Sequence, residues 1–384
     1  MRKERLWIPV RRIFSYKGNV NMFETPSIIV DEDKVRKNIK KMAEIAKKRG
    51  VRLRPHVKTH KIPKIAKMQI EAGAVGITVA KTTEAEVMAS AGINDIFVAY
   101  PIVTDAKIDR VLELSKKIRL IVGVDSIEGA RKLSDKAKMN NQHIEVRLEV
   151  DTGLRRTGVK YEKAVDLAKE ISILDNVNLT GIYTYKGALF KGRPTLDLYK
   201  AGLEEGELMA ALAKRLRKDG LEIKDVSGGS TPTAENVAQV EGITEIRPGT
   251  YVFNDRMQMG YKVCRFEDCA AKVVATVVSI PSEDLLVIDG GSKTFATDVQ
   301  PNSEPLKLDG FGECANHHEG VLERLTEEHG MVRVPPGQSF QVGDTIEIIP
   351  NHICSTINLH DAVYFKKEDG SLEKLAVSAR GKLY

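Results

Sequence analysis

The feature that most limits what this chain can become is a repeat. Between Val51 and Arg247, short β-branched runs alternate with helical runs, and the β runs number eight: Val51–Arg54, Val75–Val79, Asp95–Ala99, Arg119–Val124, Ile144–Glu149, Leu179–Tyr183, Ile223–Ser227 and Ile243–Arg247. Eight βα units in about 200 residues predict an α/β fold, a (β/α)8 TIM barrel. A doubly wound sheet also alternates, but it gives no reason for eight repeats. The helical runs carry one apolar face each. Val35, Ile39, Met42 and Ala46 recur at helical spacing before Gly50, and Leu208, Leu212 and Leu216 do so before Gly220.

After Met259 the pattern changes. Ala271–Ile280, Leu285–Asp289, Met331–Val334, Thr345–Ile349, Val363–Phe365 and Leu375–Ser378 are strand-like, and turn signals such as Asp289-Gly290-Gly291 and Pro335-Pro336-Gly337 join them. The expected organisation is a barrel over 25–260, with a leading strand at Ser27–Val30, and a C-terminal all-β domain over 261–384. Residues 1–24, where Leu6, Ile8 and Val10 alternate, are expected to join the β domain.

Composition excludes several classes of function. With 42% hydrophobic and 29% charged residues the chain reads as a soluble globular protein. Its net charge of +6 is interleaved with apolar periodicity, so the basic patches are solvated helix faces and no nucleic-acid partner is expected. Four cysteines in 384 residues make no disulfide framework and fit a reducing, cytoplasmic home. The most apolar run, Val273–Ile280, is far short of a membrane span, so no membrane partner is expected either.

Barrel enzymes place their chemistry at the C-terminal ends of the strands. After the first strand comes Arg54-Pro55-His56-Val57-Lys58-Thr59-His60-Lys61. The cluster would suit a wet turn. It would equally suit an amine whose proton affinity is lowered by neighbouring cations, able to form an imine with an aldehyde, and Lys58 lies nearest the strand end. Asp151-Thr152-Gly153-Leu154-Arg155-Arg156 follows the fifth strand and Tyr185 the sixth. Arg156 suits an anionic ring substituent, and Tyr185 a planar group or simple packing. Gly228, Gly229, Ser230 and Thr231 follow the seventh strand, and Gly249, Thr250 and Tyr251 the eighth. Such loops bring amide and hydroxyl donors together around a phosphate. In the β domain, His352-Ile353-Cys354 would put an imidazole and a thiol on one side of an extended backbone, a pair suited to zinc. Cys314, His317, His318 and His329 are weaker candidates.

The run Arg54–Lys61 resembles the cofactor-lysine segment of the D-threonine aldolase/D-serine dehydratase family, alanine-racemase-like pyridoxal-phosphate enzymes of fold type III. Asp151–Gly158, Ser227–Thr233, Glu245–Tyr251, Glu328–Gly330 and Pro350–Cys354 extend the resemblance over nearly the whole chain. It implies that Lys58 carries pyridoxal 5'-phosphate, that Arg156 and Tyr185 lie near its ring, and that Gly228–Thr231 and Gly249–Tyr251 hold its phosphate. It also implies that His352 and Cys354 bind a divalent metal, zinc being favoured by the thiolate, with manganese or magnesium as alternatives. The implied activity is a lyase acting on a D-β-hydroxy amino acid substrate. His-x-Cys, with no histidine after Tyr185, leans toward dehydration to a 2-oxo acid and ammonia. Retro-aldol cleavage to glycine and an aldehyde is the alternative, ahead of a racemase or a non-catalytic cofactor-binding protein. The family also implies a homodimer.

Overall fold

The computed structural model describes residues 23–315 and 319–384. All eight expected barrel strands form, at Arg52–Leu53, Ile77–Val79, Asp95–Pro101, Arg119–Val124, Ile144–Asp151, Val177–Tyr183, Asp225–Gly228 and Glu245–Ile246. They pair in parallel in chain order, and the eighth returns to the first. The first and second strands are joined by a bridge between His56 and Thr78 and by N–H donation from Val75 to Leu53 O (3.0 Å) and from Thr78 to Pro55 O (2.8 Å). The curled sheet thus meets itself beside the lysine-rich turn.

The helices follow from their ends as much as from their faces. In Glu32–Arg49 the Asp31 carboxylate caps the Lys34 N–H, Val35, Ile39, Met42 and Ala46 are buried, and Gly50 closes the helix at φ 68°. The long helix Leu198–Lys218 buries Met209, Leu212, Ala213 and Leu216, and the chain turns at Gly220 with φ 90°.

The barrel interior near the strand starts is ionic. Arg147 donates to Glu245 Oε1 (2.6 Å) and Asp225 Oδ2 (2.7 Å), and Arg54 Nε donates to Glu245 Oε2 at 2.9 Å. Arg54 also pairs with Asp95, and Arg52 with Asp225. The Arg147 guanidinium lies 4.8 Å from the centre of the Phe97 ring. Sequence alternation predicts that Arg52 and Arg54, or Glu245 and Arg247, share a side of their strand. It does not tell that this side faces inward.

The second sheet contains a closed six-stranded antiparallel barrel. Its strands are Ala271–Ser282, Leu285–Ile288, Gly330–Arg333, Val321–Leu325, Gly312–Cys314 and Thr345–Pro350, listed in order around the barrel. Ser27–Asp31 belongs to this sheet: it runs antiparallel to Ala271–Ser282 and parallel to Ala362–Lys366, which pairs in turn with Leu372–Ala376. Ile28 and Val30 are buried with Val273, Val363 and Phe365, so this strand, expected to lead the barrel, crosses into the β domain's core instead. The expected strand around Leu6–Val10 and the histidines 317 and 318 lie outside the described residues. Two strands escaped the sequence pattern. Gly312–Cys314 is too short to alternate, and Val321–Leu325 carries a register shift between Leu322 and Arg324. Among the described residues no helix is long and apolar enough to cross a membrane.

Burial works against the charge of Glu245, but Arg147 and Arg54 outweigh it and hold its carboxyl well below the usual range. A depressed folded-state pKa gives stability that is present above the unfolded value of about 4.3 and is lost as pH falls through the folded one. Glu245→Gln should therefore cost about 3–5 kcal/mol at neutral pH and flatten the acid limb of the stability curve. Urea denaturation between pH 7 and pH 3 measures both effects.

Candidate active site

The first barrel strand ends in a single 3-10 turn, Val57–Thr59, started by His56, whose Nδ1 accepts the Lys58 N–H at 3.3 Å. The lysines of the turn have different fates. Lys61 is buried, donates to the Ala379 carbonyl at 3.4 Å and lies 3.7 Å from Glu84 Oε1. Lys58 is part-exposed, and its Nζ lies 5.4 Å from the centre of the Tyr185 ring. The Arg156 guanidinium lies 4.9 Å from the same ring. Lys58, Arg156 and Tyr185, which come from the ends of the first, fifth and sixth strands, thus converge. Neither cation has a carboxylate within ion-pair distance among the described residues. Burial, then Lys58, Arg247, Lys61 and Arg156, push the His56 imidazole well below its ordinary pKa and keep it neutral. Four cations around one neutral ring make a pocket suited to an anion. His60, by contrast, is structural: its Nε2 meets Gln69 Oε1 at 3.3 Å and its Nδ1 accepts the Ile62 N–H at 3.0 Å.

The Gly/Ser/Thr loops of the seventh and eighth strands interlock. The Tyr251 N–H donates to Thr231 Oγ1 at 3.1 Å, and the Tyr251 hydroxyl accepts from Gln69 Nε2 at 2.9 Å. The Gly229 amide donates to buried Glu205 at 2.8 Å and the Ser230 amide to Thr233 Oγ1 at 3.2 Å. The amides of Thr231, Gly249 and Thr250 carry no hydrogen bond among the described residues. Of the expected phosphate-loop residues, these three therefore offer free backbone donors. Gly228 and Gly229 act through space: a Cβ on Gly228 would lie 3.1 Å from Glu205 Oε1, and one on Gly229 3.0 Å from the Ala234 Cα.

His352 and Cys354 also meet, but on a different backbone from the one expected. His352 is extended (φ −135°, ψ 104°), and a short helix, Ile353–Ile357, begins immediately after it. Asp255 Oδ2 accepts the Ile353 N–H at 3.0 Å, and the Thr356 hydroxyl donates back to His352 O at 2.9 Å, which winds the segment up. The thiol of Cys354 lies 3.1 Å from Thr59 Oγ1 and 3.4 Å from Thr250 Oγ1, between the lysine turn and the eighth-strand loop. Asp298 Oδ2 meets His352 Nδ1 at 2.6 Å, leaving Nε2 free to face the sulfur. Burial opposes both charges of this pair. The Cys354 thiolate and Asp298 nevertheless raise the His352 pKa well above normal, and His352 lowers that of Cys354. Burial pushes nearby Asp255 up to about 6. Among the described residues no group of three or more His, Cys, Asp or Glu side chains is arranged to hold an ion. Cys314 is buried in the β barrel, and His329 lies in an exposed turn between strands.

With this geometry in view, the relatives are informative. Residues 30–257 match the alanine racemase N-terminal domain, and residues 270–366 match a putative serine dehydratase domain. A D-threonine aldolase of Arthrobacter sp. is 32% identical, covering 93% of each chain. The chain belongs to the D-threonine aldolase/D-serine dehydratase family, of alanine-racemase-like fold. It is therefore a pyridoxal-phosphate-dependent lyase. A D-threo-3-hydroxyaspartate dehydratase of Delftia sp. is 31% identical, covering 91% of this chain and 96% of its own. The crystal structure of D-threonine aldolase from Filomicrobium marinum superposes with a TM-score of 0.85 at 31% identity, covering 94% of this chain and 96% of that one.

The pocket fits the family's cofactor in its chemistry, with an unpaired amine at Lys58, flanking cations and free amides at Thr231, Gly249 and Thr250. Sequence reasoning passed over Arg247, although it adjoins Pro248-Gly249-Thr250. Its guanidinium donates to Ser227 Oγ (2.5 Å) and Thr184 O (2.6 Å), inside the barrel. Asp298 gave no sequence signal, standing 54 residues before His352 in an irregular segment. Gly249 keeps the eighth-strand loop against the lysine turn, since an added Cβ would lie 3.0 Å from both His56 O and Thr59 Oγ1. Gly249→Ala should displace that turn and weaken cofactor affinity about tenfold, or 1.4 kcal/mol, with little change in Tm. A titration of apoprotein with pyridoxal phosphate, read by absorbance, measures it.

Proposed function

We propose that this enzyme dehydrates D-β-hydroxy amino acids to a 2-oxo acid and ammonia, using a divalent metal held by His352 and Cys354. The observation that carries this reading is the position of the imidazole–thiolate pair, whose sulfur lies 3.1 Å from the hydroxyl of Thr59, the residue next to Lys58. A donor pair so close to the amine has reach over the β-substituent of a substrate whose α-carbon faces Lys58. The Asp298 carboxylate on His352 Nδ1 orients the ring as second partners of metal-bound histidines do. A soft thiolate with an imidazole favours zinc over manganese or magnesium. A D-threo-3-hydroxyaspartate dehydratase offers a parallel, since one solved structure of it is a cysteine-to-alanine variant in the metal-free form.

Pyridoxal phosphate supplies the electron sink when bound. The chain's own groups supply the rest. Lys58 Nζ is the base placed to take the α-proton. His56, held neutral in this cluster, does not carry a competing charge. Arg156 and Tyr185 would bind and orient the cofactor's ring, and the Thr231, Gly249 and Thr250 amides would anchor its phosphate. His352 and Cys354 would hold the metal, which would supply Lewis acidity toward the β-hydroxyl.

Aldol cleavage needs instead a base on the β-hydroxyl. The segment after Tyr185 offers no histidine, and Lys186 is buried against Glu204, which also accepts the Lys191 N–H at 3.1 Å. That occupied lysine supports dehydration. Tyr185 is 41% exposed at the pocket mouth, which suits completion of the site by a second subunit in a homodimer.

Incubation with D-serine, D-threonine and β-hydroxy-D-aspartate should yield ammonia and a 2-oxo acid from at least one of them. Glycine with an aldehyde as the dominant products from all three would refute the dehydratase reading. Cys354→Ala should keep its cofactor, lose bound metal by elemental analysis and lose about 10²–10³ in kcat. Full activity in demonstrably metal-free enzyme would remove the proposed role of the pair.

A further inference from the structure

The turn that presents Lys58 leaves through an unusual residue. Lys61 has a φ of 57°, in a region where few residues with a Cβ are found, and it is buried. Its backbone N–H donates to Val57 O at 2.8 Å, which closes the turn. Its backbone carbonyl accepts the Ala379 N–H at 3.1 Å, and its ammonium donates to the Ala379 carbonyl at 3.4 Å. The same ammonium lies 3.7 Å from Glu84 Oε1. Glu84, buried in the helix Thr82–Ser90, accepts the Ala80 N–H through its other oxygen at 2.7 Å. In the same first turn of that helix, the Thr82 and Thr83 hydroxyls donate to Tyr384 O at 3.0 and 3.1 Å. Three segments distant in sequence meet on a single buried ion pair, three residues from Lys58.

A buried pair of this kind is a poor device for stability alone, because apolar residues of similar volume do as well or better. What it supplies is a fixed geometry. We propose that Lys61 and Glu84 are positioning residues for Lys58: the pair sets the left-handed exit of the turn and clamps residues 377–384 onto it, so that the amine is held toward Tyr185 and Arg156. The proposal rests on Lys58 being the cofactor lysine.

The pair also bears on the charge of that amine. Lys58 and Lys61 share the field of Glu84 from the neighbouring helix, Lys58, Lys61, Arg156 and Arg247 all act on His56 in the same turn, and Lys58 and Arg156 share the Tyr185 ring. Removing the Lys61 cation should stabilise a positive charge at Lys58, and removing the Glu84 carboxylate should destabilise it. A scaffold role would not give shifts of opposite sign.

The test uses holoenzyme of the wild type and of Lys61→Met, Glu84→Gln, Lys61→Arg and the double variant Lys61→Met/Glu84→Gln. The pH midpoint of the cofactor's visible absorbance should rise in Lys61→Met and fall in Glu84→Gln, each by about one unit. The double variant leaves no unpaired buried charge and should fold even if a single one does not. Its kcat should still fall about a hundredfold with KM little changed, while Lys61→Arg restores most of it. Midpoints that move together or not at all, or a double variant with wild-type kcat, would overturn the proposal alone. Wild-type enzyme whose cofactor is fixed by borohydride to another lysine would overturn the Lys58 reading beneath it, and this proposal with it.

Discussion

The site depends on one buried carboxylate. Glu245 binds Arg147 and Arg54, tying the eighth strand to the fifth and the first where the barrel is narrow and no water would screen the charges. It also accepts the Ser227 hydroxyl at 2.7 Å, and Ser227 in turn accepts from Arg247, whose other nitrogen reaches Thr184 O. A continuous polar chain therefore runs from the starts of the strands to the level of the site. Its links come from the first, fifth, sixth, seventh and eighth strands, so its geometry exists only once the barrel has closed. Such a network fixes side chains within narrow limits, at the cost of leaving little tolerance for losing any member.

On that floor the sequence builds a pocket with too many cations for the carboxylates nearby. Lys58 and Arg156 both lean on Tyr185 rather than on an acid, and Arg247 is held by a hydroxyl and a carbonyl. Burial, and after it this uncompensated positive charge, keeps His56 neutral, and the charge suits the pocket to an anion. The β domain completes the arrangement by inserting Cys354 between the lysine turn and the eighth-strand loop. A lysine turn from one domain and an imidazole–thiol pair from the other are thereby brought side by side.

Much of this was legible in the chain itself. The eight β-branched runs marked the barrel because parallel strands covered by helices are apolar on both faces. Lys58, Arg156 and Tyr185 were legible because the fold puts strand ends on one rim. The ionic interior was not, since alternating Arg52/Arg54 and Glu245/Arg247 look like solvent-facing positions until the barrel closes around them. Ser27–Val30, expected to lead the barrel, pairs in the β domain's sheet because a short apolar strand does not encode which partner it meets. The extended form expected for His352–Cys354 gave way to a helix start fixed by Asp255, nearly a hundred residues away in sequence. The two side chains meet all the same, across the first turn of that helix.

The chemistry of the site depends on where the cofactor is attached. Reducing the pyridoxal-phosphate-loaded enzyme with borohydride and mapping the modified peptide by mass spectrometry addresses this directly. The adduct should sit on Lys58, with Lys61 and Lys186 unmodified. An adduct on either of those two, or a loaded enzyme that carries none, would contradict it.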